Sequence, residues 1–148
     1  LFAKVTILDH LLGQIEITIP EKVQDEVLAK EGLEDARLIA QRIKEKKITV
    51  KSASTITHLQ SDFNLGAGEA EALALAIREG CALLTDDRRA IQTARVFHVE
   101  FATALNMLIG LFKNGTLSLE QAKAKLQKLI TVGRYNPVII EKAWSDLQ

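Results

Sequence analysis

Gly66-Ala67-Gly68-Glu69-Ala70-Glu71-Ala72-Leu73-Ala74-Leu75-Ala76-Ile77-Arg78-Glu79-Gly80, followed at once by Cys81-Ala82-Leu83-Leu84-Thr85-Asp86-Asp87, decides the fold. Ala70, Leu73, Ala74 and Ile77 recur at helical spacing, which predicts an amphipathic helix over 69–79 with Gly80 as its C-terminal cap. Cys81 to Thr85 is a short apolar run between turn signals, the pattern of a central strand buried on both faces in a parallel sheet. Asp86 and Asp87 fall at the carboxyl end of that strand.

Working toward the N-terminus, Ser52 to Asn64 is rich in Ser and Thr and reads as a loop with one helical turn at most. Ile48 and Val50 mark a short strand, and Glu34 to Lys46 a helix carried by Ala36, Leu38, Ile39 and Ile43. Val23 and Val27 place another helix between Pro20 and Gly32, because proline suits a first helical turn. Gln14 to Ile19 alternates, with Ile15, Ile17 and Ile19 on one side, as a strand with one buried face does. Leu1, Val5, Leu8 and Leu12 share a helical face, but the pattern opens at Leu1 with no capping residue, so that helix reads as truncated.

Working toward the C-terminus, the pattern predicts a helix over 88–96, an extended stretch at 99–101 and a helix over 104–113 closed by Asn114-Gly115. Ser118 with Gln121 forms a capping box for a helix through Ile130, and Asn136-Pro137 opens a last one. Alternating helices and apolar strands predict an α/β fold, a three-layer α/β/α arrangement with a mainly parallel sheet. A single domain over 1–148 is expected, with an α/β core over 1–113 and a helical tail over 114–148.

Composition narrows the function. The chain has 148 residues, with 19 basic against 19 acidic side chains and one cysteine, and a mean hydropathy of +0.08. That size buries a core without disulfides, zero net charge removes a strong global field toward nucleic acid, and no apolar run is long enough for a membrane span. No basic flank precedes an apolar segment at the start, so the expectation is a cytoplasmic protein that does not engage a membrane.

Ligands of open α/β sheets bind outside the carboxyl ends of the strands. That rule selects Glu26 in the helix just after the Ile15–Ile19 strand, Glu69 after the Gly66-Ala67-Gly68 turn, and Asp86 with Asp87 after the Cys81–Thr85 strand. Carboxylates gathered at one edge repel unless a divalent cation lies between them, and hard oxygen donors suit magnesium or manganese. Each also has a structural reading: Glu26 as solvated surface, Glu69 and Glu71 as partners of a helix dipole, Asp86-Asp87 as a cap. Gly66-Ala67-Gly68 is not a dinucleotide fingerprint, since no strand directly precedes it. His10, His58, His98 and Cys81 lack metal-ligand spacing, Cys81 is expected in the core, and no Ser or Cys sits on a nucleophile elbow. Trp144 is read as a packing or oligomer anchor.

Three segments, Ile19 to Val27, Leu65 to Ala76 and Leu83 to Ala90, resemble the PIN-domain nucleases. The closer likeness is to the archaeal and bacterial branch of predicted nucleic-acid-binding proteins related to VapC toxins. It runs through nearly the whole chain, including the Lys113-Asn114-Gly115 turn. The resemblance implies a metal-dependent endoribonuclease that binds Mg²⁺ or Mn²⁺, with RNA as substrate and an antitoxin protein as a partner. By motif, Glu26 resembles the family's second acid, Glu69 the third and Asp87 the fourth, with Glu71 and Asp86 as adjacent alternates. The family pattern starts with a strand ending in Asp followed by Ser or Thr, ahead of the helix that Leu1-Phe2-Ala3-Lys4 resembles, and this sequence has no residues there.

On that reading Thr85 orients a ligand or water beside the acids, and Arg88, Arg89 and Arg95 contact the RNA backbone. Arg42, Lys44, Lys46 and Lys47 are further basic candidates. A non-catalytic nucleic-acid-binding or protein-interaction module on the same scaffold is the alternative; a signalling receiver ranks last, because its paired aspartates belong after the first strand. The apolar tail, with Leu126, Leu129, Ile130, Val138, Ile139, Ile140 and Trp144, predicts a homodimer.

Overall fold

A computed structural model describes residues 1–4, 6–30, 32–53 and 58–148. They form two compact units, one of Leu1–Ile15 with Thr103–Gln148 and one of Glu16–Ala102. Among the described residues no helix is long and apolar enough to cross a membrane.

The unit of 16–102 is α/β. Strand β1 (Ile17–Pro20) leads into helix α2 (Glu21–Leu28), then α3 (Glu34–Lys44), β2 (Ile48–Lys51), the short α4 (Leu59–Asp62), α5 (Ala67–Glu79), β3 (Leu83–Leu84), α6 (Arg88–Val96) and β4 (Phe101–Ala102). β1 pairs with β2 in parallel, Ile17 opposite Ile48 and Pro20 opposite Lys51. β3 pairs with β4 in parallel, Leu83 opposite Phe101 and Leu84 opposite Ala102. Helix α5 packs on both β1 and β3 and touches α2 and α6. Its face supplies the core: Leu73, Ala74 and Ala76 are buried with Leu59, Leu65, Leu83, Ala90 and Ala94. The alanines let α5 and α6 approach closely, and Lys51 Nζ closes the far end of α5 by donating to Glu79 Oε2 at 3.0 Å. That bond, joined by one from Arg78, holds the Glu79 carboxyl below its usual pKa.

Two expectations in this unit need correction. The apolar run 81–85 is a strand only at Leu83–Leu84, and Cys81 is exposed and outside the core. Gly80 takes a left-handed φ of +65° and Cys81 N–H still bonds Ala76 O, so the first residues of the run are spent leaving α5. Leu83 N–H and Thr85 N–H then reach the neighbouring strand, at Glu100 O and Ala102 O. Likewise the alternation at 14–19 begins too early: Gln14 and Ile15 N–H groups bond Leu11 O, Ile15 is exposed, and β1 starts at Ile17. The loop expected at 52–64 contains α4 at its end, and its residues 54–57 lie outside the described residues.

The unit of 1–15 and 103–148 is helical: α1 (Leu8–Leu12), α7 (Ala104–Lys113), α8 (Leu119–Val132) and α9 (Pro137–Asp146). Helix α1 is shorter than the Leu1–Leu12 periodicity predicts, because Thr6 takes a φ of +58° and breaks the ladder ahead of it. Val5 lies outside the described residues. Ser118 and Gln121 make the predicted capping box on α8, Thr103 and Asn106 make another on α7, and Asn136 Oδ1 caps α9 by accepting from Ile139 N–H at 2.9 Å. Leu105, Leu108, Leu111, Leu126, Leu129, Ala143 and Leu147 are buried, Trp144 is half-buried, and Val138 remains 73% exposed.

Candidate active site

The start of α5 is built around two missing side chains. A Cβ on Gly68 would stand 3.0 Å from Glu26 Oε1, 3.2 Å from Glu26 Oε2 and 3.2 Å from Val23 Cγ2. A Cβ on Gly66, the residue that caps α5, would collide with Glu69 Oε2. The glycines therefore seat two carboxylates: Glu26, brought in from α2, lies on Gly68, and Glu69 folds back over Gly66. Glu69 in the first turn of α5, and Glu26 packed against that turn, lie where a helix start and the positive end of its dipole favour negative charge. Glu26 is exposed and Glu69 half-buried, so both are within reach of solvent.

Asp87 stands at the head of the next helix. Its Oδ1 accepts from Ala90 N–H at 2.8 Å and so caps α6, while its own N–H donates to Thr85 Oγ1 at 3.1 Å. Thr85 thus fixes the backbone from which Asp87 projects. Asp86 beside it is half-buried. The two helix starts are linked through Arg89, whose Nη1 donates to Asn64 O at 3.4 Å, two residues ahead of Gly66. Arg88 is exposed on the same first turn of α6. Arg95 belongs to the opposite end of that helix, with its guanidinium 5.3 Å over the Phe101 ring.

Glu71 points elsewhere. Two residues along a helix is about 200° of rotation, and Glu71 Oε2 accepts from Lys22 N–H at 3.2 Å, which supplies a partner to the first turn of α2. The structure separates it from Glu69 and uses it to dock α2 on α5.

The sequence suggested that three of these carboxylates meet around one cation. Among the described residues no three His, Cys, Asp or Glu side chains form a group able to hold a metal ion. The reason is local: Glu69 lies against its own glycine turn, Asp87 is drawn to α6, and Glu71 is drawn to α2. In kind the donors still fit a hard divalent cation, since all are carboxylate oxygens. The sequence reading missed the use of the glycines as seats, and the available signal was their position, flanking a helix start two residues apart and next to Glu69.

The family described as DUF3368, a PIN domain, matches residues 1–147. The chain belongs to the PIN-domain family. This is a nuclease-type family, whose members generally use divalent metals. No curated protein and no solved structure matches the chain.

The glycine seats give this PIN chain a direct test. Gly68→Ala is expected to push the Glu26 carboxylate off α5 and to crowd Val23, at a stability cost of about 1–3 kcal/mol for the overpacked site. If Glu26 serves in catalysis, nuclease activity falls more than the melting curve explains.

Proposed function

We propose that this PIN-domain chain is a metal-dependent endoribonuclease that hydrolyses RNA phosphodiester bonds. The observation that carries the reading is the pair of carboxylates seated on the Gly66-Ala67-Gly68 turn, in a chain whose family match covers 1–147. Glu26 and Glu69, with Asp87 from the next helix, are the residues that would hold Mg²⁺ or Mn²⁺. When bound, such an ion lowers the pKa of a water and offsets charge on the phosphoryl oxygens.

The chain's own groups do the rest. Thr85 holds the Asp87 backbone. Arg88 and Arg89, at the head of α6 beside Asp87, offer guanidinium groups that pair with phosphate oxygens and set the strand's position without reading bases. Arg95 is assigned a weaker contact, because its guanidinium already stacks on Phe101. RNA is the substrate, the cytoplasm the compartment, and a toxin role with a protein antitoxin the biological setting. The test is cleavage of an end-labelled single-stranded RNA with Mg²⁺ or Mn²⁺ against EDTA. Metal-dependent internal cleavage is expected, and no cleavage with either metal overturns the reading.

A second reading, a PIN-like module that binds RNA without cutting it, is favoured by the lack of a three-carboxylate group among the described residues. The same assay separates the two, since that module would retain the RNA intact under both conditions.

We also propose a homodimer. Val132, Val138 and Ile139 are exposed on the last two helices, and exposed apolar side chains gathered on one part of a surface favour an interface. Light scattering over a dilution series should give about twice the 16.3 kDa chain mass. A stable mass at that of one chain would exclude the dimer.

A further inference from the structure

In the helical unit, Gln121, Ala124, Lys125 and Lys128 follow one another at the spacing of a single face of α8. Together with Thr6 and His10 they line a cavity of about 270 Å³. Lys125 Nζ crosses to Thr6, donating to its carbonyl at 2.9 Å and to its Oγ1 at 2.7 Å. Thr6 meets it from a left-handed backbone, φ +58°, which a β-branched residue seldom adopts. An ammonium has three N–H donors, so one of Lys125's is left over. Gln121 Oε1 is taken by Ser118 N–H at 2.9 Å, which leaves the amide nitrogen as its donor.

The charge around this cavity is one-sided. Among the described residues neither Lys125 nor Lys128 has a carboxylate within ion-pair distance. The two lysines, three residues apart on one helix, repel each other. Burial, and then the charge of Lys128, hold the Lys125 ammonium below its ordinary pKa.

We propose that this cavity is an anion site that takes a phosphate group, with its oxygens accepting from Lys125, Lys128, the Gln121 amide and the His10 ring. Several donors facing one space with no acidic partner suit a tetrahedral oxyanion, and the volume admits a phosphate with its water. Two sources share this chemistry, a phosphate monoester and the phosphodiester of a nucleic-acid strand. The cavity belongs to the helical unit and the carboxylates of α5 and α6 to the α/β unit, and the proposal stands whether or not the chain cuts RNA.

The experiment is an NMR titration of the whole chain with inorganic phosphate, in EDTA and at constant ionic strength, following the histidine ring signals. A saturable shift at His10 is expected, with His58 and His98 unmoved. Among the described residues Lys128 makes no hydrogen bond that folding would miss, so Lys128→Gln is the main variant; it should weaken the His10 response at least tenfold. Lys125→Arg, which keeps the charge and the bond to Thr6, should retain it. A nucleoside monophosphate that reproduces the shift, where an oligonucleotide without terminal phosphate does not, assigns the monoester; a shift with both assigns the strand backbone. An unmoved His10, an equal response in Lys128→Gln, or the same shift from chloride at matched ionic strength overturns the site. With metal chelated, none of these outcomes depends on the nuclease reading.

Discussion

Asp87→Asn is expected to lower Mg²⁺- or Mn²⁺-dependent RNA cleavage by at least about 10²-fold while leaving the melting transition in place. The two halves of that expectation come from different atoms. Asp87 Oδ1 accepts from Ala90 N–H at 2.8 Å and caps α6; asparagine keeps an oxygen for that bond and is as good an N-cap as aspartate. What the substitution removes is a negative charge. A carboxylate on a catalytic metal contributes several kcal/mol to charge stabilisation, and each 1.36 kcal/mol is tenfold in rate, so about 10²-fold is a floor. Asp87→Ala removes cap and charge together and should add a stability loss of about 1 kcal/mol. Single-turnover cleavage and thermal melting on the same preparations separate the roles. If Asp87→Asn cleaves as fast as the parent, Asp87 is a helix cap and no more.

The way Asp87 serves α6 also shows what the sequence could and could not disclose. Helix boundaries were legible wherever a terminus is chemically marked: Asp87 and Val96 bound α6 as expected, Gly80 closes α5, and the Ser118 and Asn136 caps open α8 and α9. These signals act within four residues, so local sequence carries them. Strands were less legible, because a ladder needs a partner that may lie far along the chain. Cys81 and Ala82 are apolar, yet leaving α5 uses them up before Leu83 can pair with Phe101. The same limit applies to the site. Motif order selected Glu26, Glu69 and Asp87, and the structure brings Glu26 and Glu69 to one turn. Whether a carboxylate turns toward its neighbours or toward the nearest helix start depends on free N–H groups in three dimensions. Glu71 shows this: two residues from Glu69 in sequence, it bonds the Lys22 N–H of another helix.

Leu73→Ala is expected to produce the opposite phenotype, a large stability loss with the chemistry retained. Leu73 is fully buried on α5, among Leu59, Leu65, Leu83, Ala90 and Ala94. Its truncation loses the transfer free energy of the removed carbons and leaves a cavity. Neighbours decide how much of that cavity closes. Ala90 and Ala94 have no side-chain length to reach into the space, and α6 is held at its head by the Asp87 cap, so collapse is limited and the cost should sit in the upper part of the usual range of about 2–5 kcal/mol. Against a total stability of about 5–15 kcal/mol, that is a large share. Urea unfolding should show a lower midpoint at an unchanged slope, because the surface exposed on unfolding barely alters. Leu73 lies one helical turn beyond Glu69 and contributes no polar atom, so cleavage measured well below the lowered melting point should stay within a few-fold of the parent. A midpoint that does not move would mean that α5 is not seated on β3 and α6 as described. Lost cleavage at unchanged stability in Asp87→Asn, together with lost stability at unchanged activity in Leu73→Ala, would assign the head of α6 to chemistry and the body of α5 to the core.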